Sequence, residues 1–410
     1  MTSSPRQVDL NELPEPGYVD TAAALDELFE ELKDVDEVAV DTEADSFYSY
    51  REKVCLIQVS ANGKDWLVDP LADYSIDKIG ELLADASKCK LFHDGEYDFL
   101  LFQREYGFVV ENIYDTRAAE ALLGNEAPGL GTVLADRFGL ELDKSLQRSD
   151  WGKRPLTEKQ VSYARLDTRF LSELRSAQVP ELERRGLLPV LEGEHHRLEA
   201  IRTSWPEFNP EGWGKLKGAR ALSPEDRCAA RELFILRDAI ARERDQACFR
   251  ILNNQAVVEI ARAQPENEKQ LADVPGVSWG IVRKIGDQLL DALDRAEEKD
   301  PITEMPPKPR KEGDVQLDEA GAELHERIKT WRRQEAARVG YDASLVLHRI
   351  PMGRIALSKP TSVEAVAGIE GVQSWQAETH GEVLAATVRD FNADLASGRW
   401  KPGRRRKRQR

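Results

Sequence analysis

The sequence lacks the features of several large protein classes. None of its 410 residues belongs to an apolar run close to the ~20 residues of a membrane span. The first twenty residues contain no apolar signal core, which predicts a protein that is not exported. The four cysteines form neither a C-x-x-C pair nor a zinc-ligand spacing. We therefore expect reduced thiols, a cytoplasmic location and no contact with a membrane.

Motifs for nucleotide-driven and common hydrolytic chemistry are also missing. The sequence has no G-x-x-x-x-G-K-[ST] loop, so we expect no nucleotide cofactor and no ATP-driven unwinding. It has no G-x-S-x-G and no H-E-x-x-H, which argues against the common serine hydrolases and zinc proteases. The net charge of −16 argues against a protein that coats nucleic acid through bulk positive charge.

Positive charge is concentrated at the C-terminal end. Residues 399–410 read RWKPGRRRKRQR and follow an acidic chain. Such a basic tail predicts an arm that binds phosphate groups. The alternative is a solvated tail that binds nothing specific.

The order of the predicted elements indicates an α/β domain followed by all-α domains. Between about residues 21 and 175 short β-rich segments alternate with helical patterns, and beyond 176 only helical patterns remain. We predict strands at residues 37–43, 54–60, 65–70 and 90–94, the first two as antiparallel neighbours, and a helix at residues 158–177. Strands succeeded by helices predict a mixed sheet flanked by helices.

The helical part contains a duplication. At a constant offset of 95 residues, LADVPGV at 271–277 matches VAGIEGV at 366–372, and Ile251-Leu252 matches Val346-Leu347. Each copy is long enough for one small helical bundle. The predicted organisation is a loosely ordered lead at 1–20, an α/β domain at 21–205, helical modules at 215–297 and 318–395, a Pro-rich linker at 298–317 and the tail at 399–410.

Acidic residues in unusual positions point to a metal site. Asp41 and Glu43 follow three aliphatic residues at the end of a buried strand, where an acid is rare without a partner. Asp98 lies in the first turns of an apolar helix, and Tyr163 and Asp167 share one helical face at i and i+4. Four carboxylates that converge would suit Mg²⁺ or Mn²⁺. Two such ions stabilise both the attacking and the leaving oxygen of a phosphodiester.

Each acidic residue would have a separate role in such a site. Asp41 would bridge the two ions, Glu43 and Asp167 would hold the ion that carries the attacking water, and Asp98 would serve the other ion. Tyr163, with an ordinary pKa near 10, would orient the water rather than bind metal. Taken singly, each pattern is more often something else. An acidic strand end is usually at the surface, a lone helix acid such as Asp98 is usually solvated, and a Tyr-x-x-x-Asp pair usually forms a local hydrogen bond. The ordered set is more informative than its parts.

Three segments around these residues resemble ribonuclease D, a family within the 3′→5′ exonucleases that are named for four acids and a tyrosine. The resemblance covers about residues 20–205 and is carried by VAVDTEADSFYSYREKVCLIQVS, FHDGEYDFLLFQREYG and LDKSLQRSDWGKRPLTEKQVSYARLDTRFL. It implies a ribonuclease H-like fold and two divalent metal ions. It also implies stepwise hydrolysis from a free RNA 3′ end, release of nucleoside 5′-monophosphates, and tRNA precursors and other small structured RNAs as substrates of a monomer.

The duplicated module resembles the HRDC domain, a helical bundle shared with RecQ-family helicases. Ribonuclease D proteins are similar in carrying two such domains after the nuclease. The first copy is the better match, because the second has IEGV where the first has VPGV.

Residues near the acids are candidates for substrate contact. We name Thr42, His93 and Arg154 as candidate substrate-binding residues, with a surface loop as the alternative for Arg154. Aromatic residues read single-stranded RNA by stacking, although core packing explains them equally well; these are Phe47, Tyr48 and Tyr50.

Several alternatives stay open from the sequence. Asp94 would replace Asp98 in a different helix register, whereas Asp115 fits a helix N-cap better than a metal site. The chain is equally compatible with a 3′→5′ exonuclease of DNA, since the 2′-hydroxyl contacts that distinguish RNA are not legible here. A non-catalytic nucleic-acid-binding protein built on the HRDC-like modules, or a helicase fragment, are the remaining readings.

Overall fold

The computed structural model describes residues 6–7, 13–142, 145–307 and 313–401. Six strands form one mixed sheet in the spatial order β2-β5-β4-β3-β6-β7, and β1 pairs with β8 in a separate two-stranded sheet. The strands are β1 Arg6–Gln7, β2 Gly17–Val19, β3 Glu37–Ala44, β4 Val54–Ala61, β5 Lys64–Val68, β6 Cys89–Phe92, β7 Ile113–Asp115 and β8 Leu140–Glu141.

Eight α-helices of the described chain accompany these strands. They are α1 Ala22–Glu31, α2 Asp77–Ala84, α3 Glu96–Tyr106, α4 Thr116–Leu122, α5 Leu130–Phe138, α6 Glu158–Arg169, α7 Leu171–Arg185 and α8 Leu188–Glu199. The predicted mixed sheet flanked by helices is confirmed.

Strand β3 occupies the middle of the sheet. It runs antiparallel to β4, as predicted, with Asp41 opposite Gln58, and parallel to β6, with Ala39 opposite Leu91. Successive side chains of a strand point to opposite faces. Val38 therefore packs with helices α1 to α3, whereas Ala39 packs with α4, α7 and α8. Both faces of β3 are covered along residues 38–40, which explains the run of three buried apolar residues before Asp41.

The helical part consists of two modules built alike. The first contains α9 Pro224–Glu243, α10 Cys248–Ile251, α11 Asn254–Ala263, α12 Glu268–Ala272 and α13 Trp279–Glu297. The second contains α14 Glu319–Val339, α15 Ala343–Val346, α16 Arg349–Ser358, α17 Val363–Ala367 and α18 Ser374–Ala396. Every second-module helix begins 95 residues after its counterpart, as the sequence offset predicts. Gly276 and its equivalent Gly371 have φ of 87° and 88°, a left-handed conformation in which glycine carries little steric cost.

Four predictions need correction. Residues 17–19 of the expected loose lead form the edge strand β2, because Val19 is buried and pairs with Val68. The strand predicted at 90–94 ends at Phe92, since Asp94 has a positive φ of 70°. The helix predicted across 158–177 breaks at Phe170 into α6 and α7.

The fourth correction concerns the linker. Ile302 and Met305 pack against the first helical module, and Arg227 donates to the Ile302 carbonyl, so this segment is attached to the module rather than extended between domains. The predicted basic tail lies outside the described residues beyond Lys401. Among the described helices none has the length and apolar content needed to cross a membrane.

Candidate active site

The end of strand β3 presents two of the predicted carboxylates. Asp41 and Glu43 lie two residues apart and therefore point to the same face of the sheet. The pairing of β3 with β4 shifts register between Glu43 and Ala44, so the strand leaves the regular ladder directly after the second acid. Both side chains are half-buried between the sheet and the helices that follow.

Helix α3 supplies the third carboxylate. Gly95 precedes its first turn and donates its backbone N–H to Asp115 at 2.9 Å, which fixes the start of the helix. Asp98 follows in that turn and is only 5% exposed. Its carboxylate accepts a hydrogen bond from the Thr42 hydroxyl, so the strand that carries Asp41 also orients Asp98.

Helix α6 supplies the fourth carboxylate and the tyrosine. Thr157 and Gln160 form a reciprocal capping box that fixes where the helix begins. Tyr163 and Asp167 lie on one face, and the Tyr163 hydroxyl is hydrogen-bonded to Asp167. The Tyr163 ring packs at 5.9 Å from the Trp151 ring, which is fully buried.

The four carboxylates interact with one another. Burial raises the pKa of Asp41 well above its usual value, and the negative charges of Asp98, Asp167 and Glu43 raise it further. Burial raises the pKa of Glu43 to about 9, and the negative charges of Asp167 and Asp98 add to the shift. Burial raises the pKa of Asp98 and of Asp167 to about 7 each, although hydrogen bonds from Thr42 and Tyr163 respectively oppose the shift. The negative charges of the four acids therefore act on one another, and their role as metal ligands stays a prediction.

Among the described residues, no positively charged side chain is paired with this cluster. In the described part of the chain, none of the four carboxylates forms an ion pair with Lys, Arg or His, and no three acidic, His or Cys side chains are set around one ion as they stand. Unpaired buried carboxylates are costly unless a cation neutralises them. Because all the donors of the cluster are oxygens, their chemistry fits Mg²⁺ or Mn²⁺.

Gln58 is a neighbour of this site that the sequence reasoning missed. It lies directly opposite Asp41 on β4, so both side chains point to the same sheet face. Gln58 is 0% exposed, and neither its amide nitrogen nor its amide oxygen has a hydrogen-bond partner. A polar residue inside the apolar run VCLIQVS was the available signal, since buried polar groups are normally hydrogen-bonded.

The three candidate substrate-binding residues have other partners in the structure. Thr42 supports Asp98, as described above. His93 donates or accepts a hydrogen bond with Thr116 at 2.9 Å, and burial lowers its pKa to about 4, so the ring is neutral. The Arg154 guanidinium pairs with Asp69 and donates to the carbonyls of Trp151 and Cys55, which gives it a structural role instead of a free phosphate contact.

The structure also decides between the neighbouring acids. Asp94 is exposed and lies 3.4 Å from the Arg117 guanidinium, on the turn before α3, and does not join the cluster. Asp115 caps helix α4 by accepting from the backbone N–H of Ala118 at 2.9 Å, as predicted.

Comparison with known families follows the same division of the chain. Residues 16–183 match the family of 3′-5′ exonuclease domains, and residues 227–293 and 322–388 each match the HRDC domain. The ribonuclease D of Nitrobacter hamburgensis is 27% identical over 90% of this chain and 94% of its own length.

Proteins of eukaryotes are also similar to this chain. The exosome complex component 10 homolog of Drosophila melanogaster is 31% identical over 60% of this chain, and the match spans 28% of the fly protein's length. The crystal structure of the catalytic core of RRP6 from Trypanosoma brucei superposes with a TM-score of 0.64 and 28% identity, over 72% of this chain and 83% of that one.

Proposed function

Because this chain is a ribonuclease D-like protein, with a 3′-5′ exonuclease domain followed by two HRDC domains, we propose that it shortens RNA from the 3′ end by metal-dependent hydrolysis. The observation that carries this proposal is the convergence of Asp41, Glu43, Asp98 and Asp167 without a cation of the protein. A cluster of this kind is unfavourable for folding and is retained where bound metal serves catalysis.

Exonucleases of this family depend on metal ions, and the donor set of this chain is consistent with two divalent ions. The four carboxylates would hold them. When bound, divalent ions supply the charge that activates a water molecule and stabilises the negative charge of the reacting phosphate.

Tyr163 would orient the attacking water. Burial and the charges of Asp167, Glu43 and Asp41 raise its pKa, so the phenol keeps its proton and acts through hydrogen bonds. Its hydroxyl is already hydrogen-bonded to Asp167 and to the side chain of Gln147. These partners fix the hydroxyl at the edge of the acidic cluster, where a water bound by Asp167 would lie within its reach.

Gln58 would complete the support of Asp41. Its amide is fully buried beside that residue, and neither of its polar atoms has a hydrogen-bond partner among the described residues. We propose that the amide N–H would donate to the carboxylates that hold the metal. Such a partner would fix the ligand orientation in the way that outer residues do at other metal sites.

Within this proposal the products are nucleoside 5′-monophosphates, and the substrates are tRNA precursors and other small structured RNAs with a free 3′ end. The ribonuclease D of Nitrobacter hamburgensis, which matches nearly end to end, supports RNA over DNA. All four cysteines are free, which supports a reducing compartment such as the cytoplasm.

A time course with a 3′-extended tRNA tests the proposal. Purified protein in Mg²⁺ is expected to shorten the RNA one nucleotide at a time and to release 5′-monophosphates, and EDTA is expected to stop the reaction. A DNA strand of the same sequence, assayed in parallel, separates the exoribonuclease from a DNA exonuclease. Internal cleavage, or shortening that continues in EDTA, would reject the mechanism.

A further inference from the structure

An aromatic pair lies exposed between the exonuclease domain and the first HRDC domain. Phe47 follows the catalytic strand and is 42% exposed, whereas Phe249 belongs to α10 and is 49% exposed. Their rings meet edge to face, with centroids 6.3 Å apart. Burial of a large aromatic ring is favourable, so the exposure of two at one point is unusual.

Two arginines flank this pair. The Arg148 guanidinium lies 5.8 Å from the Phe47 ring centroid, and the Arg250 guanidinium lies 4.1 Å from that of Tyr48. Both side chains are exposed, and neither forms an ion pair with a carboxylate of the described residues. We call Phe47, Phe249, Arg148 and Arg250 the rim platform. The Nε–H of Arg250 also donates to the Phe47 carbonyl, which holds the side chain beside the pair. On a chain with a net charge of −16, two arginines without a carboxylate partner beside exposed rings favour an anionic ligand with flat groups.

The rim platform is held in place by the contact between the two domains. Tyr48 accepts a backbone hydrogen bond from Ala247 at 3.0 Å, and Tyr50 donates to Asp238 at 2.8 Å. Lys53 pairs with Asp245 at 3.0 Å, which neutralises an acid near the platform. The two tyrosines thus fix the loop after Phe47. The Phe47 side chain, which precedes them in the chain, stays exposed.

The platform is also close to the catalytic residues along the chain. Phe47 follows Glu43 by four residues, which limits their separation to about 14 Å. Arg148 adjoins Gln147, the hydrogen-bond partner of Tyr163. The platform is therefore within reach of a chain-like ligand whose end lies among the four acids. The units next to that end would contact it.

The second HRDC domain lacks the same features. At the offset of 95 residues, Phe249 corresponds to Ser344 and Arg250 to Leu345. Leu345 is buried among residues of α4, α7 and α8 in the exonuclease domain. The duplicated helix therefore serves as packing in one copy and presents an aromatic and a positive charge in the other.

We propose that the rim platform binds the single-stranded segment of RNA directly upstream of the 3′ end, by stacking bases on Phe47 and Phe249 and by pairing phosphates with Arg148 and Arg250. This inference rests on the proposed function, since it assumes that the RNA 3′ end occupies the acidic cluster. Stacking on aromatic rings is tolerant of base identity, which suits an enzyme that must move along a strand.

Fluorescence anisotropy with 5′-labelled RNA of eight nucleotides, measured on the full chain in EDTA, tests this proposal without catalysis. The double variant Phe47→Ala/Phe249→Ala is expected to raise the Kd about 5- to 100-fold, the effect of losing one stacked base. The matched control is Trp279→Ala, which removes another exposed aromatic of the first HRDC domain, 53% exposed on α13, and is expected to change the Kd less than twofold.

An unchanged Kd in the double variant, or an equal loss in Trp279→Ala, would overturn the proposal. If the double variant does not fold, Arg148→Gln gives an independent reading. It is expected to reduce the slope of log Kd against log salt by about 0.7, the value for one phosphate contact on a single strand, and an unchanged slope would also overturn the proposal.

The outcome is separable from that of the proposed function. If the wild-type protein shortens RNA and the platform variants bind it normally, only the platform fails. If the wild-type protein binds RNA through the platform and shortens none, the exonuclease proposal fails instead.

Discussion

Helix α6 contributes to two groups of buried carboxylates that differ in their partners. Toward β5, Asp65 lies 2.6 Å from Arg165 and 3.8 Å from Arg169, and it accepts a hydrogen bond from Ser60 at 2.8 Å. Toward the end of β3, Asp167 meets three further acids and no cation of the described chain. The first arrangement stabilises the fold, and the second leaves its charge to be neutralised by something else. Residues on one side of α6 thereby attach the helix to the sheet, and a residue on its other side belongs to the candidate site.

The largest effect on activity is expected when one of the four carboxylates without a cationic partner is removed, because we propose that they bind the metal. Asp41→Ala, or Asp167→Asn, is expected to reduce the rate of RNA shortening at least about a thousandfold, because metal contributes several kcal/mol to the transition state. RNA binding in EDTA is expected to persist. A variant that retains wild-type turnover in magnesium would remove these residues from the site.

Removal of Asp65, which is paired with arginines, is expected to affect the stability of the fold instead of catalysis. Asp65→Ala leaves Arg165 buried without its partner, and we expect the free energy of unfolding of the exonuclease domain to fall by about 3–5 kcal/mol. Urea unfolding, followed at the first transition, measures this loss. The control is Asp73→Ala, which removes an exposed acid and is expected to change stability by less than about 0.5 kcal/mol. Equal effects would show that the paired group has no special weight.

The pH dependence of stability sharpens the contrast. The pKa of Asp167 is raised to about 7 in the fold, so its contribution to stability is full below the unfolded pKa near 4 and is lost as pH rises through 7. We therefore expect Asp167→Asn to raise the Tm of the metal-free protein at pH 8 and to leave it nearly unchanged at pH 5. Saturating Mg²⁺ should reverse the order at pH 8, since only the wild type keeps its ligands. A Tm difference that is the same at both pH values would contradict the assignment.

Gln58 offers a smaller test of the same idea. Gln58→Leu removes two buried polar atoms without partners, and we expect stability to rise by about 1–2 kcal/mol. The same variant should need more Mg²⁺ for half-maximal activity, because Asp41 loses its supporting neighbour. A loss of stability with an unchanged metal requirement would make Gln58 an ordinary core residue.

The smallest effect is expected from the basic tail, which lies far from both groups along the chain. The deletion is limited to residues 402–410, because Trp400 packs on Phe391 and Arg399 pairs with Asp394. We expect the deletion to weaken RNA binding at low salt and to have little effect at high salt. An unchanged salt dependence would leave the tail without a role in binding.

Much of the site was predictable because its parts are local patterns. Asp41 and Glu43 were found from an apolar strand that ends in acids, and Tyr163 and Asp167 from helical spacing. The capping role of Asp115 was predicted from residue type and position, and its side chain accepts the expected backbone hydrogen bond. The duplication was equally clear, since it required only a constant offset.

Other features depend on contacts between distant residues and could not be predicted. The edge strand β2 has three residues, too few for a period, and is defined by its pairing with β5. Tyr50 contacts Asp238, which is 188 residues away, so no local pattern assigns it to the domain contact. Arg154 was named as a candidate substrate-binding residue, with a surface loop as the alternative, because its partner Asp69 is separated from it by 85 residues.

The most direct test of the account is a crystal of the full chain soaked in MnCl₂, with an anomalous difference map calculated at the manganese edge. We expect peaks bounded by the carboxylates of Asp41, Glu43, Asp98 and Asp167, and we expect them to vanish in Asp41→Ala. A map with no peak among these four side chains in the wild type would contradict the claim that they form a metal-binding catalytic centre.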